Sequence, residues 1–275
     1  LGFPPAGGKP NSHPADTELT QAARERLIRL ALDAASGAGD EPLRRSRHAT
    51  TYRVRWAVKE NRLPAEIYVK IFDVSRGFAS LKERVRGSKA VNMARMLAAL
   101  KKAGFGVPSL LMLGRERATG RSMAVTTAAE GDSLAEVIAR DGPGAIARKR
   151  TLLRALGQEV ARFHRAGFIH GDLTPHNVFV GDGAAVQFTF IDHDRTQRAA
   201  RRGPRRGHLR NLVQLGRFEF EGLTRSDRMR FFRAYADTLE LGAGKSAMRR
   251  VAKMLAVRQT EIARTRGRRA LDHSS

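Results

Sequence analysis

Three polar residues in the middle of the chain have the types and spacing of a phosphoryl-transfer site. Asp172 lies five residues before Asn177, and Asp192 lies 20 residues after Asp172. An aspartate can accept the proton of an attacking hydroxyl, or orient that hydroxyl. The Asn177 amide oxygen and the Asp192 carboxylate are hard oxygen ligands, which suit Mg²⁺ held against nucleotide phosphates. The spacing predicts Asp172 as catalytic residue, with Asn177 and Asp192 as metal and cofactor ligands.

The surrounding pattern supplies the elements that would position these residues. Apolar residues at helical spacing predict a helix that ends at Gly167, and Phe168-Ile169 follows as a short strand. The segments 178–180 and 186–191 flank a turn as the strands of a hairpin would. An Asp and an Asn five residues apart are by themselves a weak signal, so this setting carries the prediction. Asp192 comes directly after a predicted strand, at a strand end. We therefore expect its side chain at the rim of a cleft and not inside a hydrophobic core.

Lys70 stands inside an otherwise apolar strand. Residues 67–72 alternate as a strand does, with Ile67, Val69 and Ile71 on one face and Lys70 on the other. Such a lysine either protects a sheet edge from aggregation or contacts nucleotide phosphates. The downstream motif at the right distance favours the second interpretation. Lys70 is therefore a candidate catalytic and cofactor-binding residue.

Between Lys70 and the motif, the pattern predicts one helix, two strands and a hinge. Residues 88–102 form the helix, with Ser88 as N-cap, and residues 110–113 and 122–127 form the strands. The hinge follows at 128–131, where backbone groups would face an adenine. Glu130 lies in this hinge and is a further cofactor-binding candidate.

Composition limits the class of protein. A chain of 275 residues can form one large domain or two lobes. The absence of cysteine rules out disulfides and thiolate metal sites, and is compatible with a reducing compartment. No apolar run reaches the roughly 18–20 residues of a membrane span. No secretory signal is visible, although the chain begins at Leu1.

The charge is strongly positive and concentrated toward one end. The formal net charge is +24, and residues 198–275 hold 20 Lys plus Arg against 7 Asp plus Glu. Such a surface attracts polyanions: nucleic acid, anionic lipid headgroups or a phosphorylated substrate. Residues 198–210 are rich in arginine with Gly and Pro between, which predicts a basic loop, and residues 211–220 are predicted as a helix. A basic helix predicted at 245–269 could lie on an anionic membrane, or could dock on the protein with its basic face in solvent.

These residues resemble the lipopolysaccharide kinase family, which phosphorylates Kdo or heptose in the lipopolysaccharide inner core. The resemblance covers roughly residues 43–237. It rests on the stretches Ile67-Tyr68-Val69-Lys70, Ser88-Lys89-Ala90, Gly106-Val107-Pro108, the segment 170–177 (His-Gly-Asp-Leu-Thr-Pro-His-Asn), the segment 191–195 (Ile-Asp-His-Asp-Arg) and the segment 228–235 (Arg-Met-Arg-Phe-Phe-Arg-Ala-Tyr).

The resemblance implies an α+β, bilobal, protein-kinase-like fold with a small β-rich N-lobe and a larger, mainly helical C-lobe. Residues 41–128 would form the N-lobe and residues 129–240 the C-lobe, with a basic helix or tail at 241–275. Residues 1–40 would be a leader, partly disordered, with one helix. Residues 1–16, with four prolines and three glycines, are the disordered or non-native part.

The resemblance also implies ATP and Mg²⁺ as cofactors and a sugar hydroxyl as acceptor. By position, Asp172 would be catalytic, Asn177 and Asp192 would bind the metal, and Lys70 would bind phosphate. The implied partner is the lipopolysaccharide core with its lipid A end, met at the cytoplasmic face of the inner membrane. An anionic membrane surface is a further possible partner, nucleic acid is not expected, and no oligomeric state follows.

The chain departs from the protein-kinase pattern in three places. No Gly-rich phosphate loop precedes Val58, where an arginine-rich stretch, 44–48, stands instead. Residues 88–113 contain no Asp or Glu, so Asn92 or Glu83 would have to orient Lys70. Asp194 replaces the glycine after the metal-binding aspartate, as a second metal ligand or as a partner for Arg195. His170 is expected to be a structural hydrogen-bonding residue.

Other functions compete with this one. A phosphotransferase of the aminoglycoside type needs an acidic pocket for cationic substrates, which the +24 charge argues against. A protein kinase needs a Gly-rich loop and an Ala-Pro-Glu segment, and the chain has neither. A catalytically weak kinase-like module that binds lipid or nucleic acid would explain the missing helix carboxylate. Such a module would not need Asp172, Asn177, Asp192 and Lys70 together.

Overall fold

The computed structural model of the chain describes residues 21–36, 41–46, 48–55, 66–74, 87–116, 119–141, 145–183, 185–198, 206–217, 220, 223–240, 249, 253 and 257. Contacts divide the chain into two units, one of residues 1–74 and 109–128, the other of residues 75–108 and 129–275. The expectations for residues 1–16, for Glu83 and for most of 241–275 lie outside the described residues.

The first unit is an antiparallel sheet with a helix on one face. Its elements are α1 (Gln21–Ser36), β1 (Arg44–Arg45), β2 (Ala49–Arg55), β3 (Glu66–Phe72), β4 (Leu110–Arg115) and β5 (Ser122–Thr127), with strand order β1-β2-β3-β5-β4. Ile67, Val69 and Ile71 of β3 are buried on the predicted face. Leu27 and Ala31 of α1 pack into the same core, so the helix covers that face of the sheet.

The second unit is mainly helical. Its elements are α2 (Lys89–Lys102), β6 (Asp132–Ser133), α3 (Leu134–Asp141), α4 (Ile146–Arg165), β7 (Phe168–Ile169), β8 (Val178–Val180), β9 (Phe188–Phe190), β10 (Gln197–Arg198), α5 (Arg206–Gly216), α6 (Arg225–Thr238) and two 3₁₀ turns, Pro175–Asn177 and His193–Arg195. Val160, Phe168 and Phe190 have no exposed surface and anchor its core. A β-rich first part followed by a helical part confirms the expected α+β class.

Side-chain caps fix where the helices begin. The Ser88 hydroxyl accepts a hydrogen bond from the Val91 nitrogen, which confirms the predicted N-cap of α2. Thr224 and Asp227 bond reciprocally in a capping box at the start of α6. Within the described residues, no helix combines the length and the apolar character needed to span a membrane.

Helix α2 is tied to α4 of its own unit through Arg162. The Arg162 guanidinium donates to the carbonyl oxygens of Ala103 and Gly104 at 3.3 and 3.0 Å. The central carbon of that guanidinium, Arg162 Cζ, lies 3.9 Å from the centre of the Phe105 ring. A cation bonded to the last carbonyls of a helix complements the negative end of the helix dipole.

The expectation for the segment before α5 was wrong. The sequence predicted a basic loop over 198–210 and a helix over 211–220, whereas α5 begins at Arg206 and ends at Gly216. Leu209 is buried and extends the apolar stripe of Leu212 and Val213 one turn earlier, so packing outweighs the local glycine signal. Gly207 fits because a Cβ there would lie 2.4 Å from the Ile169 side chain.

Candidate active site

The segment between β7 and β8 carries Asp172 and Asn177. Gly171 has a φ of +81°, and a Cβ there would lie 2.6 Å from the Arg195 carbonyl oxygen, so only glycine fits. The Asn177 side-chain nitrogen donates to the backbone carbonyl oxygen of Asp172 at 2.9 Å. This bond turns the Asn177 amide oxygen away from that carbonyl. The Asp172 side chain is half-buried and Asn177 is buried.

Asp192 reaches the same place through the β8–β9 hairpin. Val178 pairs with Phe190, and the Ile191 nitrogen donates to the Asn177 carbonyl oxygen at 3.0 Å. Asp192 follows with a φ of +65°, a left-handed conformation that costs a non-glycine residue roughly 1–3 kcal/mol. The structure therefore brings Asp172, Asn177 and Asp192 into one cluster. Strain of this kind is concentrated at functional sites.

His170 links the segment that carries Asp172 to the segment that carries Asp192. Its Nε2 donates to the Ile191 carbonyl oxygen at 2.9 Å, one residue before Asp192. Burial lowers the pKa of His170, although the negative charges of Asp192 and Asp172 oppose that shift. The ring is therefore neutral, with its proton on Nε2, and its buried Nδ1 has no hydrogen-bond partner among the described residues. The expectation that His170 is a structural hydrogen-bonding residue is confirmed.

Two amide side chains of α5 hold the backbone around Asp172. Asn211 is fully buried, and its side-chain oxygen accepts from the His170 nitrogen at 3.0 Å. The Gln214 side-chain nitrogen donates to the Gly171 carbonyl oxygen at 2.8 Å, and its oxygen accepts from the Leu173 nitrogen at 3.2 Å. The Asn211 amide nitrogen also donates to the Gln214 oxygen at 3.1 Å. The two residues thus satisfy the backbone on both sides of Asp172.

His164 and Tyr235 form a hydrogen-bonded chain that ends on the Asn211 side chain. His164 Nε2 lies 3.2 Å from the Asn211 oxygen, which can only accept, so this nitrogen carries the proton. The Tyr235 hydroxyl then donates to His164 Nδ1 at 2.9 Å. Burial, with a smaller contribution from His208, lowers the pKa of His164 to about 3. A neutral histidine therefore links α4, α5 and α6 to the Asp172 segment.

The sequence interpretation gave no role at the site to Asn211, Gln214, His164 and Tyr235, although Tyr235 ends the segment 228–235 on which the family resemblance rests. The available signal was weak: Asn211 and Gln214 flank two apolar residues at a three-residue spacing, as polar residues inside a buried stripe do. Periodicity cannot tell such residues from exposed ones at the edge of a stripe. Their partners lie some 40 residues away in sequence, and only folding shows them.

The remaining candidates are described within their own units. Lys70 lies on β3 of the first unit, opposite Thr51 and Ala124, and its Nζ is 5.6 Å from the Phe72 ring centre. In the second unit, Glu130 is exposed and Asp194 is half-buried in the 3₁₀ turn after Asp192. These placements are compatible with the predicted roles, which stay predictions.

The cluster has the donor chemistry that Mg²⁺ prefers. Among the described residues, no three His, Asp or Glu side chains come close enough to hold a metal by themselves. Mg²⁺ in nucleotide sites needs only one or two protein carboxylates, because substrate phosphates and water supply the other ligands. The Asp192 carboxylate, together with the Asn177 amide oxygen on the group whose nitrogen bonds the Asp172 carbonyl, has that donor chemistry.

Comparison with known proteins shows similarity to a protein family and to a curated relative. The model of the lipopolysaccharide kinase (Kdo/WaaP) family matches residues 74–235, more than half of the chain. KEOPS complex subunit Bud32 from Pyrococcus abyssi (strain GE5 / Orsay) is 26% identical over 115 residues, which are 41% of this chain and 49% of that protein. The chain thus aligns with about half the length of this curated relative. The family match begins two residues after β3, extends into α6 and includes the Asp172, Asn177 and Asp192 cluster.

Proposed function

The chain belongs to the lipopolysaccharide kinase (Kdo/WaaP) family, and we propose that it transfers phosphate from ATP to a sugar hydroxyl of the lipopolysaccharide inner core. Members of the family are kinases, so the reaction class follows from membership. The proposed part concerns the acceptor, a Kdo or heptose hydroxyl, and the residues that act on it. The proposal rests on one observation above all: Asn177 is bonded to the backbone of Asp172 and also accepts from the Ile191 nitrogen, directly before Asp192.

In this proposal Asp172 is the catalytic residue. Its half-buried carboxylate accepts the proton of the sugar hydroxyl, or orients that hydroxyl toward the phosphate. The backbone on both sides of Asp172, at His170, Gly171 and Leu173, is bonded to Asn211 and Gln214 of α5. Such support matters because a displacement of about 1 Å can cost roughly a hundredfold in rate.

Asn177 and Asp192 would hold Mg²⁺, and Lys70 and Glu130 would contact the nucleotide. Mg²⁺, when bound, neutralises charge on the nucleotide phosphates. The Asn177 amide is fixed by its bond to the Asp172 carbonyl, so its side chain would not have to lose further conformational freedom when its oxygen binds the metal. Lys70 on β3 would contact phosphates, and the residues around Glu130 would contact adenine.

The acceptor would be met at the cytoplasmic face of the inner membrane, with the protein peripheral to it. The net charge of +24 supports this placement, because lipid A phosphates and anionic headgroups attract a basic surface. Exposed charges act over about 8–10 Å at physiological salt, so this attraction should weaken as salt is raised.

Transfer of labelled phosphate from ATP, with Mg²⁺, to purified inner-core acceptors tests the proposal. One acceptor carries Kdo alone and another carries Kdo and heptose, so the labelled sugar identifies the substrate. Asp172→Asn keeps the size of the side chain and should abolish transfer without changing the thermal unfolding temperature. Asp182→Asn, at an exposed turn, is the matched control and should retain transfer. Retained transfer in Asp172→Asn would remove Asp172 from its role, and label on neither sugar would refute the acceptor.

A further inference from the structure

The second unit contains a largely apolar cavity of about 240 Å³ beside the candidate site. Its walls come from α3, α4, α5 and α6 and include Leu134, Ile138, Leu153, Pro175, Leu212 and Phe232. Pro175 belongs to the segment between Asp172 and Asn177, so the cavity reaches the same loop as the cluster. Apolar walls favour a hydrocarbon over a sugar or a free anion, because burying polar groups without partners is costly.

A basic groove of about 620 Å³ lies next to this cavity, between α4 and α6. It is lined by Arg154, Arg225, Arg230 and Arg233 and by one acidic residue, Asp237. The side chains of Arg154, Arg225 and Arg233 are exposed, whereas Arg230 is paired with Asp227 at 2.9 Å. The groove therefore has a net positive charge, and guanidinium groups suit phosphate in particular because they bond it bidentately.

The cavity and the groove share Arg225 and Met229 in their walls. Arg228 also lines the cavity, and its guanidinium donates to the Gly216 carbonyl oxygen at 2.6 Å. A ligand at this junction can place hydrocarbon in the cavity and an anionic group in the groove at once. A free sugar phosphate would leave the cavity unused, and a neutral lipid would leave the arginines unused.

We propose that this junction, the cavity with its adjoining arginine groove, binds the acylated and phosphorylated lipid end of the acceptor. The proposal rests on the proposed function and deepens it, since lipid A carries both acyl chains and phosphates. The lipid end is held at a site lined by Pro175, on the segment that carries Asp172. The binding energy of this remote part of the substrate serves to orient the reacting hydroxyl.

Flotation of the full chain with phosphatidylcholine vesicles tests the binding. The vesicles contain bisphosphorylated lipid A, lipid A stripped of its phosphates, or phosphatidylglycerol at the same surface charge. We expect binding to the first, and roughly tenfold weaker binding to the other two. Equal binding to phosphatidylglycerol would mean a general anionic surface and would overturn the assignment to the lipid end of the acceptor.

Variants separate the junction from general surface charge. Arg154→Gln with Arg233→Gln should weaken binding to lipid A vesicles roughly tenfold. Arg29→Gln with Lys102→Gln removes the same charge at exposed positions elsewhere and should leave binding unchanged. Met229→Trp fills the shared wall and should also weaken binding. Equal loss in the charge-matched control, or unchanged binding in both junction variants, would refute the proposal.

Phosphate transfer distinguishes failure of this site from failure of the proposed function. On a core oligosaccharide freed of acyl chains and lipid phosphates, the junction variants should retain the wild-type kcat and KM. On the complete lipid-bearing acceptor they should raise KM roughly tenfold. Transfer by the wild type to both acceptors with no difference in the variants would refute the junction alone. No transfer by the wild type to either acceptor would refute the proposed function.

Discussion

The Asn211 side-chain oxygen accepts a hydrogen bond from the His170 nitrogen at 3.0 Å, and Asn211 is completely buried. This bond joins α5 to the segment that carries Asp172, 41 residues away in sequence. Gln214, one helical turn on, bonds the backbone of Gly171 and Leu173. The position of Asp172 therefore depends on two amides that do not themselves touch its carboxylate.

Gln214→Ala should lower kcat while the KM for ATP changes little. The substitution leaves the Gly171 carbonyl and the Leu173 nitrogen without their partner, at a cost of roughly 1–3 kcal/mol in unfolding free energy. The freed segment displaces Asp172, so kcat should fall up to about a hundredfold. Steady-state kinetics and urea unfolding measure the two effects. Gln187→Ala, at an exposed position, is the control. A loss of stability with unchanged kcat would limit Gln214 to a structural role.

Lys70→Ala should raise the KM for ATP by at least roughly tenfold, because a bond to a charged group is worth about 1.5–3 kcal/mol. The side chain is half-buried on β3, and Lys102→Ala, at an exposed position of α2, is the matched control. Nucleotide titration followed by fluorescence or calorimetry measures the effect directly. An unchanged nucleotide affinity would make the arginines of the stretch 44–47 the better candidates for phosphate contact.

The buried ion pair between Lys149 and Asp227 should be a main determinant of the stability of the second unit. Lys149 Nζ lies 3.2 Å from the Asp227 carboxylate, with both side chains less than 10% exposed. Lys149→Met leaves the Asp227 carboxylate with Arg230 and Thr224 as its partners and should cost roughly 1–3 kcal/mol in unfolding free energy, because it removes a buried charged hydrogen bond. Lys102→Met, at an exposed position, should cost little. Urea unfolding of both variants checks the difference.

The same ion pair should make the free energy of unfolding depend on pH in the acid range. Burial would raise the pKa of Asp227, but hydrogen bonds from Thr224 and Lys149 outweigh burial and lower it. Because the folded-state pKa lies below that of the unfolded chain, the stabilisation is present above pH ~4 and is lost as pH falls through the folded value. Asp227→Asn should therefore flatten the decline of stability below pH ~4. An unchanged decline would contradict this origin.

His164 should produce a second acid-dependent loss of stability, at higher pH. Its pKa of about 3 lies below the ordinary value because of burial, so the unfolded chain binds a proton that the folded chain does not. The stabilisation is complete above pH ~6.5 and declines as pH falls toward 3, by about 1.4 kcal/mol per pH unit. His164→Gln should remove that part of the slope. Urea unfolding at a series of pH values measures both slopes, and an unchanged slope in His164→Gln would contradict this origin.

The sequence by itself determined the local elements and the chemistry of the cluster. The apolar alternation of residues 67–72, the Ser88 cap and the hairpin after Asn177 are short-range patterns, and each appears in the structure at or near its predicted bounds. The spacing of Asp172, Asn177 and Asp192 depends on one loop and one hairpin, so sequence distance translates directly into proximity. For the same reason the family resemblance was visible from these residues.

Only the tertiary structure decided what supports that cluster. The amides of Asn211 and Gln214 pair with a backbone 41 to 43 residues away, and no periodicity encodes such a partner. The start of α5 at Arg206 depended on burial of Leu209 and on the close contact between Gly207 and Ile169, which outweighed a loop-like local sequence. Long-range contacts overrule local propensity wherever the buried surface is worth more than the local preference.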